Sequence, residues 1–145
     1  MAVINYSKVE FPGKSANEAF ARSTAACFAA QLDPTLEELG DLKTAVSEAV
    51  TNCIVHAYPE EIGKILIKLR ILEGDVLEIS VRDWGCGIED VSKAMEPLYT
   101  TGGEDRSGMG FSIMECFMDS LRVRSTPGRG TAVVMRKKIG RKQKL

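Results

Sequence analysis

The spacing of apolar positions changes period several times along the chain. Residues 3 to 11 (Val-Ile-Asn-Tyr-Ser-Lys-Val-Glu-Phe) are β-branched and aromatic with partial alternation, and Pro12-Gly13 follows, which predicts a strand and a turn. Ser15-Ala16-Asn17-Glu18 has the form of a capping box and opens a predicted helix to about Gln31, stopped by Asp33-Pro34. Thr35-Leu36-Glu37-Glu38 is a second such box. The helix it opens gathers Leu39, Leu42, Val46, Val50 and Cys53 on one narrow stripe, which predicts a core-facing side.

After Tyr58-Pro59 the period becomes two. Ile65, Ile67, Leu69 and Ile71 alternate with Lys64, Leu66, Lys68 and Arg70, and Glu73-Gly74-Asp75 turns the chain into Leu77, Ile79 and Val81, an antiparallel hairpin. Residues 84 to 108 are rich in glycine and read as one long loop, either functional or a disordered insert. A helix is expected from about Gly108 to Phe117, then strands over 121–125 and 131–136 about the turn Thr126-Pro127-Gly128. The order β-α-α-β-β-loop-α-β-β implies an α+β fold, a two-layer sandwich of a mostly antiparallel sheet with helices on one face, and disfavours a doubly wound parallel sheet. Neither a repeat nor a linker interrupts it, so residues 1–136 are expected to form one domain and residues 137–145 a basic tail.

Composition narrows the function classes. The 145 residues carry 19 lysines and arginines against 20 acids, a formal charge of −1, which removes any global argument for direct nucleic-acid binding. Arg136, Lys137, Lys138, Arg141, Lys142 and Lys144 crowd the last ten positions, leaving the body acidic; the run is either a solvated terminus or a short arm for an anionic partner. No apolar run approaches the roughly 20 residues of a membrane span, and no leader pattern opens the chain, so a cytoplasmic protein without membrane contact is expected. Cys27, Cys53, Cys86 and Cys116 are widely spaced beside a single histidine, which fits neither zinc nor redox motifs and suggests reduced, mostly structural thiols.

Three pieces carry candidate chemistry. Glu48 and Asn52 stand four apart on the second helix, away from its apolar stripe, which simple solvent exposure would also explain. Asp83 ends a strand and precedes Trp84-Gly85-Cys86-Gly87, a tight turn or a carboxylate held over a pocket. Ser107-Gly108-Met109-Gly110 precedes an apolar helix whose positive end would suit phosphate; a plain helix start is the rival reading. A Walker-type loop, a dinucleotide fingerprint, the H-R-D and D-F-G signatures and G-x-S-x-G are all missing from the sequence.

In this order Glu48-Ala49-Val50-Thr51-Asn52, Asp83-Trp84-Gly85-Cys86-Gly87, Gly108-Met109-Gly110 and Gly130-Thr131 resemble the N, G1, G2 and G3 boxes of the ATPase and kinase superfamily of gyrase, Hsp90, histidine kinases and MutL. Within it the chain resembles, over nearly its whole length, the anti-sigma F factors of sporulation, a family of small serine protein kinases. The segments 17–22, 31–35, 46–52, 97–101 and 106–111 carry that likeness. The histidine-kinase branch needs a further helical domain for which the chain has no room.

The resemblance implies a Bergerat-type ATP-binding fold, ATP and ADP as nucleotides, and Mg²⁺ held by Asn52. It implies Glu48 as the general base for a serine hydroxyl, Asp83 as acceptor of the adenine amine, Gly85 and Gly87 shaping the base pocket, and Thr131 reaching the base. Thr100, Thr101, Ser107, Gly108, Met109 and Gly110 would meet the nucleotide, the phosphates above all, beneath a lid over residues 97–107. Arg22 would contact a partner and Arg106 the γ-phosphate or a partner, the partners being a sigma factor that is inhibited and an anti-anti-sigma protein that is phosphorylated. A homodimer is implied, with Val3, Tyr6 and Val9 lining a β-edge or capping the sheet. Gly102-Gly103-Glu104-Asp105-Arg106 departs from the family's Glu-Leu-Glu-Arg-like run, one residue shorter and richer in glycine, and Trp84 fills a place often held by a smaller residue. A general-stress-type anti-sigma kinase and a nucleotide-binding module without phosphotransfer are the alternatives.

Overall fold

The computed structural model describes residues 1–96 and 110–140. The elements are β1 (Val3–Pro12), α1 (Ala16–Ala29), α2 (Leu36–Asn52), β2 (Lys64–Leu72), β3 (Val76–Asp83), α3 (Val91–Ala94), α4 (Gly110–Phe117), β4 (Ser120–Thr126) and β5 (Gly130–Lys138). The sheet order is β1-β2-β3-β5-β4, and every neighbouring pair is antiparallel. The α+β sandwich expected from the change of period is the fold.

One face of the sheet is its core side. Ile65, Ile67 and Leu69 of β2 lie beside Leu77, Ile79 and Val81 of β3 and Val133 and Met135 of β5, all buried. From α2 come Leu42, Val46 and Val50, the expected stripe, while α1 offers Ala21, Ala25 and Ala29 at four-residue spacing, small enough for close approach. The β2–β3 hairpin turns on Gly74 (φ 87°) and Asp75 (φ 62°), both left-handed.

Of the two expected capping boxes one forms and one does not, and other local expectations are corrected. Thr35 is extended, and both halves of its capping box form: Glu38 N–H donates to Thr35 Oγ1 at 3.0 Å, and Thr35 N–H donates to Glu38 Oε1 at 2.9 Å. Ser15 makes no such cap, because its backbone is already helical (φ −53°, ψ −35°) and Glu18 turns instead to Arg22. The α1 chain tightens into a 3₁₀ turn over Ala30–Leu32 before left-handed Asp33 stops it. The segment read as loop contains α3, whose first turn is capped by Asp90 accepting from Lys93 N–H at 3.0 Å. Strand β5 runs two residues past Arg136, so the basic run begins inside the sheet: Lys137 Nζ donates to the Phe117 carbonyl at 2.8 Å. Arg141, Lys142 and Lys144 lie outside the described residues.

On β1, an edge strand, Tyr6 is exposed, whereas Val9 lies opposite Ile67 and packs on the core; the two side chains point to opposite faces. Three of the four free thiols, Cys27, Cys86 and Cys116, are exposed, and Cys53 alone is buried, so most are surface thiols rather than structural ones. On the outward face Glu78 is held between Arg70 (2.7 Å) and Arg136 (2.8 Å). Among the described residues no helix is long and apolar enough to cross a membrane.

Candidate functional site

A cavity of about 530 Å³ opens between the end of α2, the start of α4, the segment after β3 and strand β5. Its size falls in the range of small-molecule sites. Its wall is mixed: Ala49, Ile88, Phe111 and Val133 are apolar, Asn52, Asp83 and Thr131 are polar points, and His56, Glu89, Asp90 and Lys93 add ionisable side chains.

Asp83 is the last residue of β3 and is only 4% exposed. Its Oδ1 accepts from Gly85 N–H at 3.0 Å and from Thr131 N–H at 3.1 Å, and the Cys53 thiol also hydrogen-bonds to the carboxyl group. Burial pushes the Asp83 carboxyl up from its ordinary value, and these three donors pull against it. A carboxylate offers about four acceptor positions, so three internal donors leave space for one more from a ligand. The Cys53 thiol is driven well above its usual range, by burial first and by the Asp83 charge second.

The segment after Asp83 is fixed on both sides. Cys86 N–H donates to the Ala57 carbonyl (3.1 Å), Gly128 N–H to the Cys86 carbonyl (2.7 Å) and Ile88 N–H to Ser125 Oγ (2.7 Å). Gly85 is required because a Cβ would collide with the Ala57 carbonyl; Gly87 sits at φ 77°, and a Cβ there would strike the Thr126 carbonyl. Ala57 is presented by a π-helical turn, Cys53–Ala57, that widens the end of α2 and closes with Tyr58 N–H on the Cys53 carbonyl.

Glu48 and Asn52 are half-buried rather than free in solvent, and both face the start of α4. A Cβ on Gly110 would stand 3.2 Å from Asn52 Nδ2 and 3.4 Å from Glu48 Oε1, so Gly110 is a floor over which both polar groups project. Partial burial raises the Glu48 pKa, and the nearby Glu18 charge raises it further. Arg22 joins this cluster from α1: it pairs with Glu18 at 3.2 Å and reaches Ser47 Oγ at 3.5 Å.

The structure therefore brings Glu48 next to Asn52 and Gly110, and across the cavity from Asn52 it places Asp83, Gly87 and Thr131; Gly85 packs on Ala57 beside Asp83, and neither it nor Glu48 lines the cavity. Thr100, Thr101, Arg106, Ser107, Gly108 and Met109 lie outside the described residues. Cys53 was legible only as a member of the core stripe, although its sulfur serves Asp83. Tyr58 gave no signal: its hydroxyl donates to the Lys64 carbonyl and accepts from Trp84 N–H, each at 2.7 Å, fixing the chain next to Asp83. Thr131 shares its hydroxyl with Ser125 Oγ at 2.8 Å. The Trp84 ring lies beneath Lys64 Nζ (4.3 Å) and the Arg82 guanidinium (4.8 Å), and it is not part of the cavity wall.

Residues 11–137 match the family described as histidine kinase-like ATPase domain. An anti-sigma F factor of Caldanaerobacter subterraneus subsp. tengcongensis is 59% identical over 138 residues, covering 94% of this chain and 96% of the relative. An anti-sigma F factor of Pasteuria penetrans is 56% identical over 137 residues, covering 93% and 91%. Among solved structures, the RsbU and RsbW domains of Rv1364c from Mycobacterium tuberculosis superpose with a TM-score of 0.68 at 15% identity, covering 94% of this chain and 33% of that one. The mycobacterial sensor histidine kinase MprB gives 0.59 at 15% identity, covering 94% and 99%. These two share the fold.

Proposed function

Because the chain belongs to the histidine kinase-like ATPase family and, within it, to the anti-sigma F factors, we propose that it is an ATP-dependent anti-sigma factor of sporulation. In this reading it sequesters a sigma factor in the cytoplasm and transfers phosphate from ATP to a serine of its anti-anti-sigma antagonist. The observation that carries the reading is Asp83: a buried carboxylate at the cavity wall, held by two main-chain donors and a thiol. The adenine amine donates and completes that set, whereas guanine presents a carbonyl there and is repelled.

In phosphoryl transfer the serine hydroxyl oxygen attacks the γ-phosphorus, the bond to the β-γ bridging oxygen breaks, and ADP leaves. Glu48 accepts the hydroxyl proton; a carboxylate lifted by burial is better matched to that task than one at its ordinary value. Asn52 offers a hard amide oxygen suited to Mg²⁺, and no group of three His, Cys, Asp or Glu side chains that could hold a metal occurs among the described residues, so phosphate and water would complete the shell. When bound, the cation supplies charge neutralisation at the phosphates. Ser107, Gly108 and Met109 as phosphate contacts, Thr100 and Thr101 in the lid and Arg106 as a partner contact enter from the family pattern alone. A homodimer through β1 is supported by exposed Val3, Ile4 and Tyr6 on that edge, with Phe20 exposed on α1.

Calorimetric titration of ATP and GTP, with and without Mg²⁺, tests the nucleotide assignment. Magnesium-dependent ATP binding with weak or absent GTP binding is expected, and equal binding of both would remove Asp83 from the role. Phosphoserine on a candidate antagonist protein after incubation with ATP tests the transfer, and loss of the label with Glu48→Gln is expected.

A further inference from the structure

Among the described residues the helices cover one face of the sheet and no element covers the other. Strand register fixes what stands on it. Along one rung Lys8 lies directly opposite Lys68, Lys68 opposite Ser80, Ser80 opposite Val134, and Val134 opposite Arg122 at the far edge. Along the next, Leu66, Arg82, Ala132 and Arg124 follow in the same way. With strands roughly 4.8 Å apart, Lys68 and Arg122 flank a strip of small and apolar residues about 14 Å wide.

That charge is poorly compensated by the acids of the described strands. The acids on this face are Glu10 and Glu78, and Glu78 is already held by Arg70 and Arg136. Like charges directly across a ladder, as at Lys8 and Lys68, work against the sheet. Arginines on edge strand β4 also guard against edge-to-edge aggregation, but that purpose does not reach Lys68 and Arg82 on interior strands.

Trp84 distinguishes the anionic partners. Lys64 and Arg82 lie over its ring, so the aromatic surface holds two cations in place and is occupied as a stacking platform for bases. The half-buried strip of Leu66, Ser80, Ala132 and Val134 is crossed by Arg82 and bordered by Lys8, Lys68, Arg122 and Arg124. Apolar side chains mixed with arginine are the composition of protein interfaces, and guanidinium groups match carboxylates in bidentate pairs. We propose that the open sheet face is a docking surface for an acidic protein segment, one that places Asp or Glu side chains on the flanking cations and apolar side chains on the central strip. It is separate from the nucleotide cavity: Asp83 and Val133, which line the cavity, alternate along their strands with Arg82, Ala132 and Val134, which face outward.

The test uses the full chain and a fluorescein-labelled peptide of repeated Glu-Glu-Leu, with a Lys-Lys-Leu peptide and a single-stranded oligonucleotide of equal charge as competitors. Anisotropy is expected to report salt-sensitive binding of the acidic peptide, weakened roughly tenfold or more by Lys8→Glu with Lys68→Glu and by Arg122→Glu with Arg124→Glu. Amide shifts caused by the peptide are expected on β2, β5 and β4. ATP binding measured on the same variants stays unchanged, which separates loss of the face from loss of the fold; the milder pair Lys8→Gln with Lys68→Gln serves if the reversal fails to fold. Absence of peptide binding, equal binding by all variants, or tighter binding of the oligonucleotide than of the peptide would overturn the proposal.

Discussion

Glu18 of α1 acts on Glu48 of α2: with burial as the larger cause, its negative charge holds the Glu48 carboxyl above the ordinary value. In the proposed role of general base Glu48 works only when ionised, so phosphotransfer should rise with pH through that raised pKa. Glu18→Gln removes a charge that disfavours ionisation and also frees Arg22. The acidic limb of the pH–rate profile should therefore move to lower pH, and a limb that stays in place or moves up would disprove the coupling.

Gly110→Ala places a methyl group against Asn52 and Glu48 while leaving α4 a better helix former. Transfer should drop by roughly tenfold or more through misplacement of the reacting groups, with the melting temperature held or raised. Single-turnover kinetics beside a thermal melt would show it.

The Thr35 capping box should contribute about 1 kcal/mol, so Thr35→Ala should lower stability by that amount in urea unfolding. Ser15→Ala should change it little, because Ser15 makes no side-chain cap.

Burial alone would raise Glu78, but hydrogen bonds and charge from Arg70 and Arg136 hold it below the ordinary carboxylate value. A depressed folded-state pKa gives stability that is present above the unfolded value and is lost as pH falls through the folded one. Glu78→Gln should cost about 1–2 kcal/mol at neutral pH. The variant and the parent should converge on acidification, and parallel stability curves would contradict this.

Native protein should show three thiols reactive toward a disulfide reagent, Cys27, Cys86 and Cys116, with Cys53 reacting only on unfolding. Cys53→Ala removes the thiol donor from Asp83 and should raise that carboxyl further; ATP affinity should then fall at mildly acidic pH more than at neutral pH.

Local chemistry was the legible part of the fold. The alternation of β2 and β3, the Glu73-Gly74-Asp75 turn and the Thr35 box depend on neighbours a few residues away, and each formed as read. Ser15 failed because a capping pattern does not report the backbone angle at its own first residue. The insertion of β5 between β3 and β4 depends on contacts between distant segments, and no periodicity encodes it. Asp83, Glu48 and Asn52 stood out as residue types at motif spacing. Cys53 and Tyr58 support Asp83 and Trp84 only once the π-helical turn has aimed them; the pattern of apolar positions treats Cys53 as core and Tyr58 as no more than a boundary.

That insertion of β5 sets an order of events in folding. Strands β1, β2 and β3 with α1 and α2 are contiguous and can assemble early, whereas β3 must wait for β5, whose first residue is Gly130, to find its second neighbour. Thr131 reaches Asp83 only at that step. During synthesis the N-terminal half therefore passes through a period with an open β3 edge and an incompletely bonded carboxylate, and a ligand held by Asp83 would favour the late pairing over competing ones.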